Sequence, residues 1–209
     1  MKLAVICANG RAGRQIVKEA VDRGLDVTAV VREENKTAAK RAIRKDLFAL
    51  TSDDLKEFDV VIDAFGAWTG DTLPLHSTSL KHLCDILSGT DTRLLVVGGA
   101  GSLYIDAAHT TQVMDGPDFP DVFKPLAIHM GKALDELRQR GDVQWTYISP
   151  AGAFQAEGER TGRYLLGGEE LTLNSRGESV ISYADYAIAM VDEAVKGHHL
   201  QQRISVVRA

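Results

Sequence analysis

Short apolar runs rich in β-branched residues alternate along the chain with stretches of helical period, the pattern of βαβ units around a parallel sheet buried on both faces. Leu3 to Cys7 predicts a first strand, Gln15 to Arg23 a helix ended by Gly24, and Val27 to Val31 a second strand. A basic stretch through Ala38 to Lys45 follows, with Ala42 to Arg44 as a short third strand. Ser52 or Asp53 then caps a helical turn ahead of a fourth strand, Val60 to Asp63. Ser77 to Leu87 predicts a helix, Leu94 to Val97 a fifth strand, Asp121 to Arg140 the longest helix with Ile128, Leu134 and Leu137 on one face, and Trp145 to Ile148 a sixth strand. After Pro150, glycines at 152, 158, 162, 167 and 168 break the rhythm, and Arg163 to Leu166 with Leu171 to Leu173 predicts a hairpin. Ser182-Tyr-Ala-Asp185 opens a last helix with the spacing of a capping box, and Ile204 to Val207 a last strand. The expected architecture is α/β: a doubly wound, mostly parallel sheet of about seven strands, helices on both faces, and the ligand at the carboxyl ends of the strands.

The length of 209 residues confines this to one domain, with residues 1–150 as the sheet core and 151–209 as a small substrate-side region. With 44% hydrophobic and 25% charged residues the composition is that of a globular chain. Cys7 and Cys84 supply neither a disulfide framework nor a metal site. No uncharged apolar run approaches the roughly 18 residues of a membrane span, and no signal-peptide pattern is present, so a cytoplasmic setting without membrane attachment is expected. The formal charge of -5 argues against nucleic acid as a partner, but it hides an asymmetry. Residues 11–45 hold ten Lys or Arg against five acids, a local +5; with Lys2 counted separately, residues 46–209 carry -11. A basic segment so confined is either a solvated helix surface or a site for a phosphate-bearing ligand.

The first strand runs into Cys7-Ala8-Asn9-Gly10-Arg11-Ala12-Gly13 and then a helix. Glycines there permit a tight turn and close approach of the backbone to a diphosphate facing the free helix amides. Gly10 and Gly13 keep the three-residue spacing, while Cys7 stands where a Gly-x-x-Gly-x-x-Gly pattern has its first glycine. The second strand ends in Val31-Arg32, and a cation at that place suits the 2'-phosphate of NADP(H) over the ribose hydroxyls of NAD(H). Arg11 is placed to assist, whereas Glu33 and Glu34 keep NAD(H) open.

Five segments together resemble an atypical short-chain dehydrogenase/reductase, in the NAD(P)-binding Rossmann group of NmrA-like proteins, NADH-flavin reductases and biliverdin reductase B. They are Ala8 to Gly13, Val97-Gly-Gly-Ala-Gly-Ser-Leu103, Trp145-Thr-Tyr-Ile-Ser-Pro-Ala-Gly152, Arg160-Thr-Gly-Arg-Tyr164 and Ile181-Ser-Tyr-Ala-Asp-Tyr-Ala187, and the resemblance spans nearly the whole chain. It implies that Asp46 and Leu47 flank the adenine, that Ala64, Phe65 and Gly66 line the cofactor, and that the backbone near Pro150 meets the nicotinamide. Catalytic members pair Tyr-x-x-x-Lys, the lysine lowering the tyrosine pKa. Here Lys132 is present but Ile128 occupies the tyrosine position, and only Ser102 stands near the expected serine. Alcohol oxidation and sugar epimerisation are thereby disfavoured. Hydride transfer to a small planar acceptor, a flavin or quinone that takes its proton from solvent, remains compatible. Ser102, His129 and Lys132 are the polar candidates for catalysis, with a helix-surface position the alternative for His129 and Lys132, and Trp68, Tyr104 and Phe154 are candidates for contact with the acceptor, with loop packing the alternative for Trp68 and Phe154. The alternative is an NmrA-like regulatory protein that senses NADP(H) without turnover. A monomer or homodimer is expected.

Overall fold

The computed structural model describes all 209 residues. Strands β1 (Lys2–Ile6), β2 (Asp26–Val31), β3 (Arg41–Arg44), β4 (Val60–Asp63), β5 (Arg93–Val97) and β6 (Gln144–Ser149) alternate with helices α1 (Arg11–Asp22), α2 (Ser52–Leu55), α3 (Leu75–Leu87) and α4 (Lys124–Leu137). Then come β7 (Ala153–Gln155), β8 (Tyr164–Gly167), β9 (Val180–Ser182), α5 (Tyr183–Lys196) and β10 (Gln202–Arg208). The main sheet has eight strands in the order β3-β2-β1-β4-β5-β6-β10-β8, all parallel except the antiparallel edge strand β8. The expected architecture is present with one strand more than anticipated. β7 and β9 form a separate two-stranded parallel pair.

Two-residue alternation explains how one sheet serves two cores. Leu3, Val5, Val60 and Ile62 point toward α1 and α5, where Ile16, Val17, Tyr186 and Met190 close the layer. Ala4, Ile6, Val61, Leu94 and Val96 point the other way, against Leu80, Leu83 and Leu87 of α3 and Leu134 and Leu137 of α4. Strand order reverses between β1 and β4, and the register Ile6↔Asp63 brings both carboxyl ends to the same crevice.

Four local expectations are corrected. α1 starts at Arg11 rather than Gln15, so the last part of the glycine loop is the helix's own first turn. The turn at 52–55 is capped by Thr51, whose amide and hydroxyl donate to Asp54 at 2.9 and 2.8 Å, and not by Ser52 or Asp53. Ile128 is 56% exposed and off the face of Leu134 and Leu137. At about 100° per residue it lies about 120° away from Leu134, and Ala127, Gly131 and Ala133 complete the buried face instead.

The hairpin does not form. β8 pairs with β10, Leu166 opposite Val206, and Leu171 to Leu173 is not a strand. Burial of Arg203 decides this: its guanidinium binds the Glu169 carbonyl and carboxylate, which pulls the chain after Gly168 away from β8 toward Tyr104, whose carbonyl accepts from the Leu171 amide at 2.8 Å.

Candidate dinucleotide-binding site

The glycine loop follows β1 in the conformation its sequence permits. Cys7 has φ +56°, the left-handed region where glycine is the usual residue, which accounts for the missing first glycine of the motif: a cysteine adopts the same turn. Its carbonyl accepts from the Gly10 amide at 2.9 Å and closes the turn. Gly13 is required by space, because a Cβ there would stand 2.9 Å from the Ala8 Cα and 2.8 Å from the Cys7 carbonyl oxygen. Its absence lets α1 dock on the end of β1. Gly10 caps α1 without a side-chain hydrogen bond, and the first turn contains no acid. The free amides of that turn and the positive end of the helix therefore face the crevice unneutralised, as an anion site requires.

The loop after β2 is held against the glycine loop by Asn9. Its amide donates to the Glu34 carbonyl at 2.8 Å, and its side-chain oxygen accepts from the Lys36 amide at 2.8 Å. Of the ten cations in the basic segment four are paired and six, Arg11, Arg14, Arg32, Lys36, Lys40 and Arg44, form no ion pair. Lys18, Arg23, Arg41 and Lys45 are paired with Asp22, Glu19, Asp26 and Asp54, respectively. Arg11, at the start of α1, Arg32, just beyond β2, and Arg44, at the end of β3, are exposed, and none forms an ion pair. Val31 and Arg44 are register partners, which brings Arg32 and Arg44 to the same edge of the sheet. Asp46 accepts the Phe48 amide at 2.9 Å and caps a short 3-10 turn whose first residue, Leu47, is buried. Ala64 and Phe65 are half-buried and Gly66 exposed beyond β4, and Pro150 is buried beyond β6.

The residues expected to meet the acceptor do not converge. Ser102 is buried, and its hydroxyl and carbonyl accept from Arg203 at 3.0 and 2.9 Å, so it ties β10 to the segment after β5. It packs on Gly131 of α4. His129 and Lys132 lie three residues apart on another face of that helix, where Lys132 is exposed beside Glu136 at 3.8 Å. Tyr104 stacks on His109 at 4.5 Å with Arg203 above it, and Phe154 packs on Tyr183 and Tyr186 at 4.0 and 4.9 Å. Both rings are therefore occupied by internal partners. Trp68 is 70% exposed.

Asp63 was not singled out by its sequence position, yet it is the most unusual group here. The carboxyl is buried, and that burial raises its pKa to about 6, opposed only by a hydrogen bond from the Phe65 amide at 3.0 Å. An acid closing the apolar run Val60-Val-Ile-Asp63, in phase with inward Val61, was the signal that could have found it.

Residues 7–194 match the family of NAD(P)H-binding domains. The chain belongs to that family. A crystal structure of a Streptococcus pneumoniae protein described as a candidate NADH-flavin reductase is 59% identical, superposes with a TM-score of 0.98, and covers 100% of both chains. The uncharacterized Bacillus subtilis protein YwnB is 46% identical over 99% of this chain and 98% of its own. A Bacteroides thetaiotaomicron structure described as a candidate epimerase is 33% identical, with a TM-score of 0.86 over 99% and 96% of the two chains. For an NAD(P)H-binding domain the glycine loop, the uncapped first turn of α1 and the crevice between β1 and β4 fit the dinucleotide: the space a Cβ at Gly13 would fill is what brings helix and strand together beneath it. No helix is long and apolar enough to cross a membrane.

Proposed function

We propose that the protein is an oxidoreductase that binds NADPH in preference to NADH and passes hydride to a flavin, quinone or similar planar acceptor. What supports the cofactor preference is that three exposed guanidinium groups without ion pairs, Arg11, Arg32 and Arg44, stand at the start of α1, just beyond β2 and at the end of β3. Arginine offers a 2'-phosphate a bidentate, permanently charged partner, and its plane stacks on adenine. The bound nicotinamide supplies the hydride. The chain's part is to hold the diphosphate on the α1 amides, to keep the loop after β2 in register through Asn9, and to present the nicotinamide side of the crevice to the acceptor.

The choice of acceptor follows from what the site can protonate. Ile128 stands at the tyrosine position, and the Ser102 hydroxyl is buried, where it accepts from Arg203. An acceptor that takes its proton from water needs neither. The high identity to the Streptococcus pneumoniae protein supports the same reading.

The same two observations also favour a second reading, an NmrA-like protein that binds NADP(H) as a signal without turning it over. Following NADPH absorbance with FMN, riboflavin, a quinone and dichlorophenolindophenol separates the two. Turnover with any of these supports the reductase; tight NADPH binding with no turnover supports the sensor. Arg32→Ala is expected to weaken NADPH binding by about tenfold or more while leaving NADH binding within about twofold, since one charge-assisted contact is worth about 1.5–3 kcal/mol. Equal affinity for the two dinucleotides in the unaltered protein would remove the proposed preference.

A further inference from the structure

Asp63 is the last residue of β4, on the strand face that packs against α3 and α4, and only 4% of it is exposed. Its carboxylate accepts the Phe65 amide and forms no ion pair. A cavity of about 20 Å³, room for about one water, lies against it between His76 and Ser79 of α3 and Tyr147 of β6. The Ser79 hydroxyl is buried there without a hydrogen-bond partner. A carboxylate held in this way costs stability and would be replaced at little loss by an apolar residue unless its charge were used.

Its place in the fold indicates the use. β1 and β4 flank the point where strand order reverses, and Asp63 is the register partner of Ile6 across it. The diphosphate belongs to the α1 amides on the β1 side, so a dinucleotide spanning the crevice has its nicotinamide half on the side of β4 and β5. We propose that Asp63 sets the redox poise of the bound dinucleotide: its fixed negative charge favours the oxidised, positively charged nicotinamide over the reduced, neutral ring and so strengthens the cofactor as a hydride donor. This rests on the dinucleotide-binding reading above. Hydride leaves the reduced ring with both electrons of its C–H bond and is taken up by the flavin or quinone. The ring charge rises by one unit, and the phosphate charges do not change. The ratio of the dissociation constants of NADP+ and NADPH therefore isolates the ring. A unit charge at an effective dielectric of about 20 shifts such a ratio on the order of tenfold over about 10 Å.

Of the groups facing Asp63 only His76 shifts the ratio in the same direction, because it loses a positive charge as pH rises. Cys7 just beyond β1, Cys84 of α3 and Tyr147 of β6 are all pushed up to about 12 by burial. β5 contributes Val96 and Val97, and α4 contributes Met130 and Ala133. His76 of α3, lowered by burial with a further effect from His129 of α4, is the remaining titrating neighbour, and it stays in place in Asp63→Asn.

The test is calorimetric titration of the full chain with NADP+ and with NADPH from pH 5.5 to 8. In the unaltered protein the ratio of the NADP+ to the NADPH dissociation constant should fall about fivefold to tenfold as pH rises through about 6. In Asp63→Asn it should stay at the low-pH value throughout, and in Asp63→Glu, which keeps the charge, the fall should return. If Asp63→Asn does not fold, His76→Gln decides: a fall that persists there belongs to Asp63, and a flat ratio there overturns the proposal. A flat ratio in the unaltered protein, or the same pH-dependent ratio in Asp63→Asn, overturns the proposal. Failure of both dinucleotides to bind the unaltered protein overturns the dinucleotide reading and this proposal with it, whereas binding with an unresponsive ratio overturns this proposal alone.

Discussion

Gly13 and Asp63 show how far single positions constrain the site. At Gly13 the neighbours of an added Cβ are backbone atoms of Cys7 and Ala8, which cannot rotate aside, so α1 would have to shift. Gly13→Ala is expected to lose about 1–3 kcal/mol of stability. NADPH affinity should fall with it because the α1 amides move, and urea unfolding and a fluorescence titration measure the two effects. Asp63 predicts an opposite trend. Its carboxyl titrates near 6 when buried against 3.8 ordinarily, so the folded state favours the protonated form. The ionised group therefore costs nothing below about pH 4, its penalty grows between about pH 4 and 6, and above that it levels at about 3 kcal/mol. Asp63→Asn should unfold at higher denaturant than the unaltered protein at pH 8 and at about the same denaturant at pH 4; a difference that does not change with pH would contradict the burial argument.

Elements here are held by contacts far apart in sequence. β10 enters the sheet with Arg203 buried, and that guanidinium joins Ser102 after β5 to Glu169 after β8, while Arg138 at the end of α4 meets the same Glu169 at 2.7 Å. Because Arg138 still pairs with the partly exposed Glu169, Arg203→Ala should cost about 1–3 kcal/mol in chemical denaturation, mainly through the Ser102 carbonyl left unpaired and the bond lost at the Glu169 carbonyl, and Arg203→Lys should recover only part of it because the bonds to Ser102 and Glu169 use two guanidinium nitrogens. The opening of α5 is similar: the Ser182 hydroxyl accepts the Asp185 amide at 3.0 Å, but the Asp185 carboxylate turns away to the Thr161 and Gly162 amides at 3.0 and 2.9 Å. Half of the capping box that the spacing suggests is thus spent on a distant loop. Nothing local in Ser182-Tyr-Ala-Asp185 could show that.

Across the whole molecule the charge of -5 coexists with a cationic crevice edge. Because Arg11, Arg32 and Arg44 are exposed, their attraction for a 2'-phosphate is screened by salt. NADPH affinity is expected to fall more steeply than NADH affinity between 20 and about 300 mM salt, by roughly three- to tenfold against at most about twofold, measured by paired titrations; parallel slopes would place the 2'-phosphate away from these cations. The amino-acid sequence by itself determined the strand–helix rhythm, the two-faced alternation of the sheet and the glycine loop, because each depends on residues within one turn or one strand of each other. It also marked the basic segment, though not which of its cations were free. Only the tertiary structure decided that the edge strand pairs with β10, that Ser102 and Glu169 belong to Arg203, and that Asp63 is buried without a counter-ion. Those outcomes depend on which groups meet across distances of tens to more than a hundred residues, where burial and the need to satisfy a buried charge override local pattern.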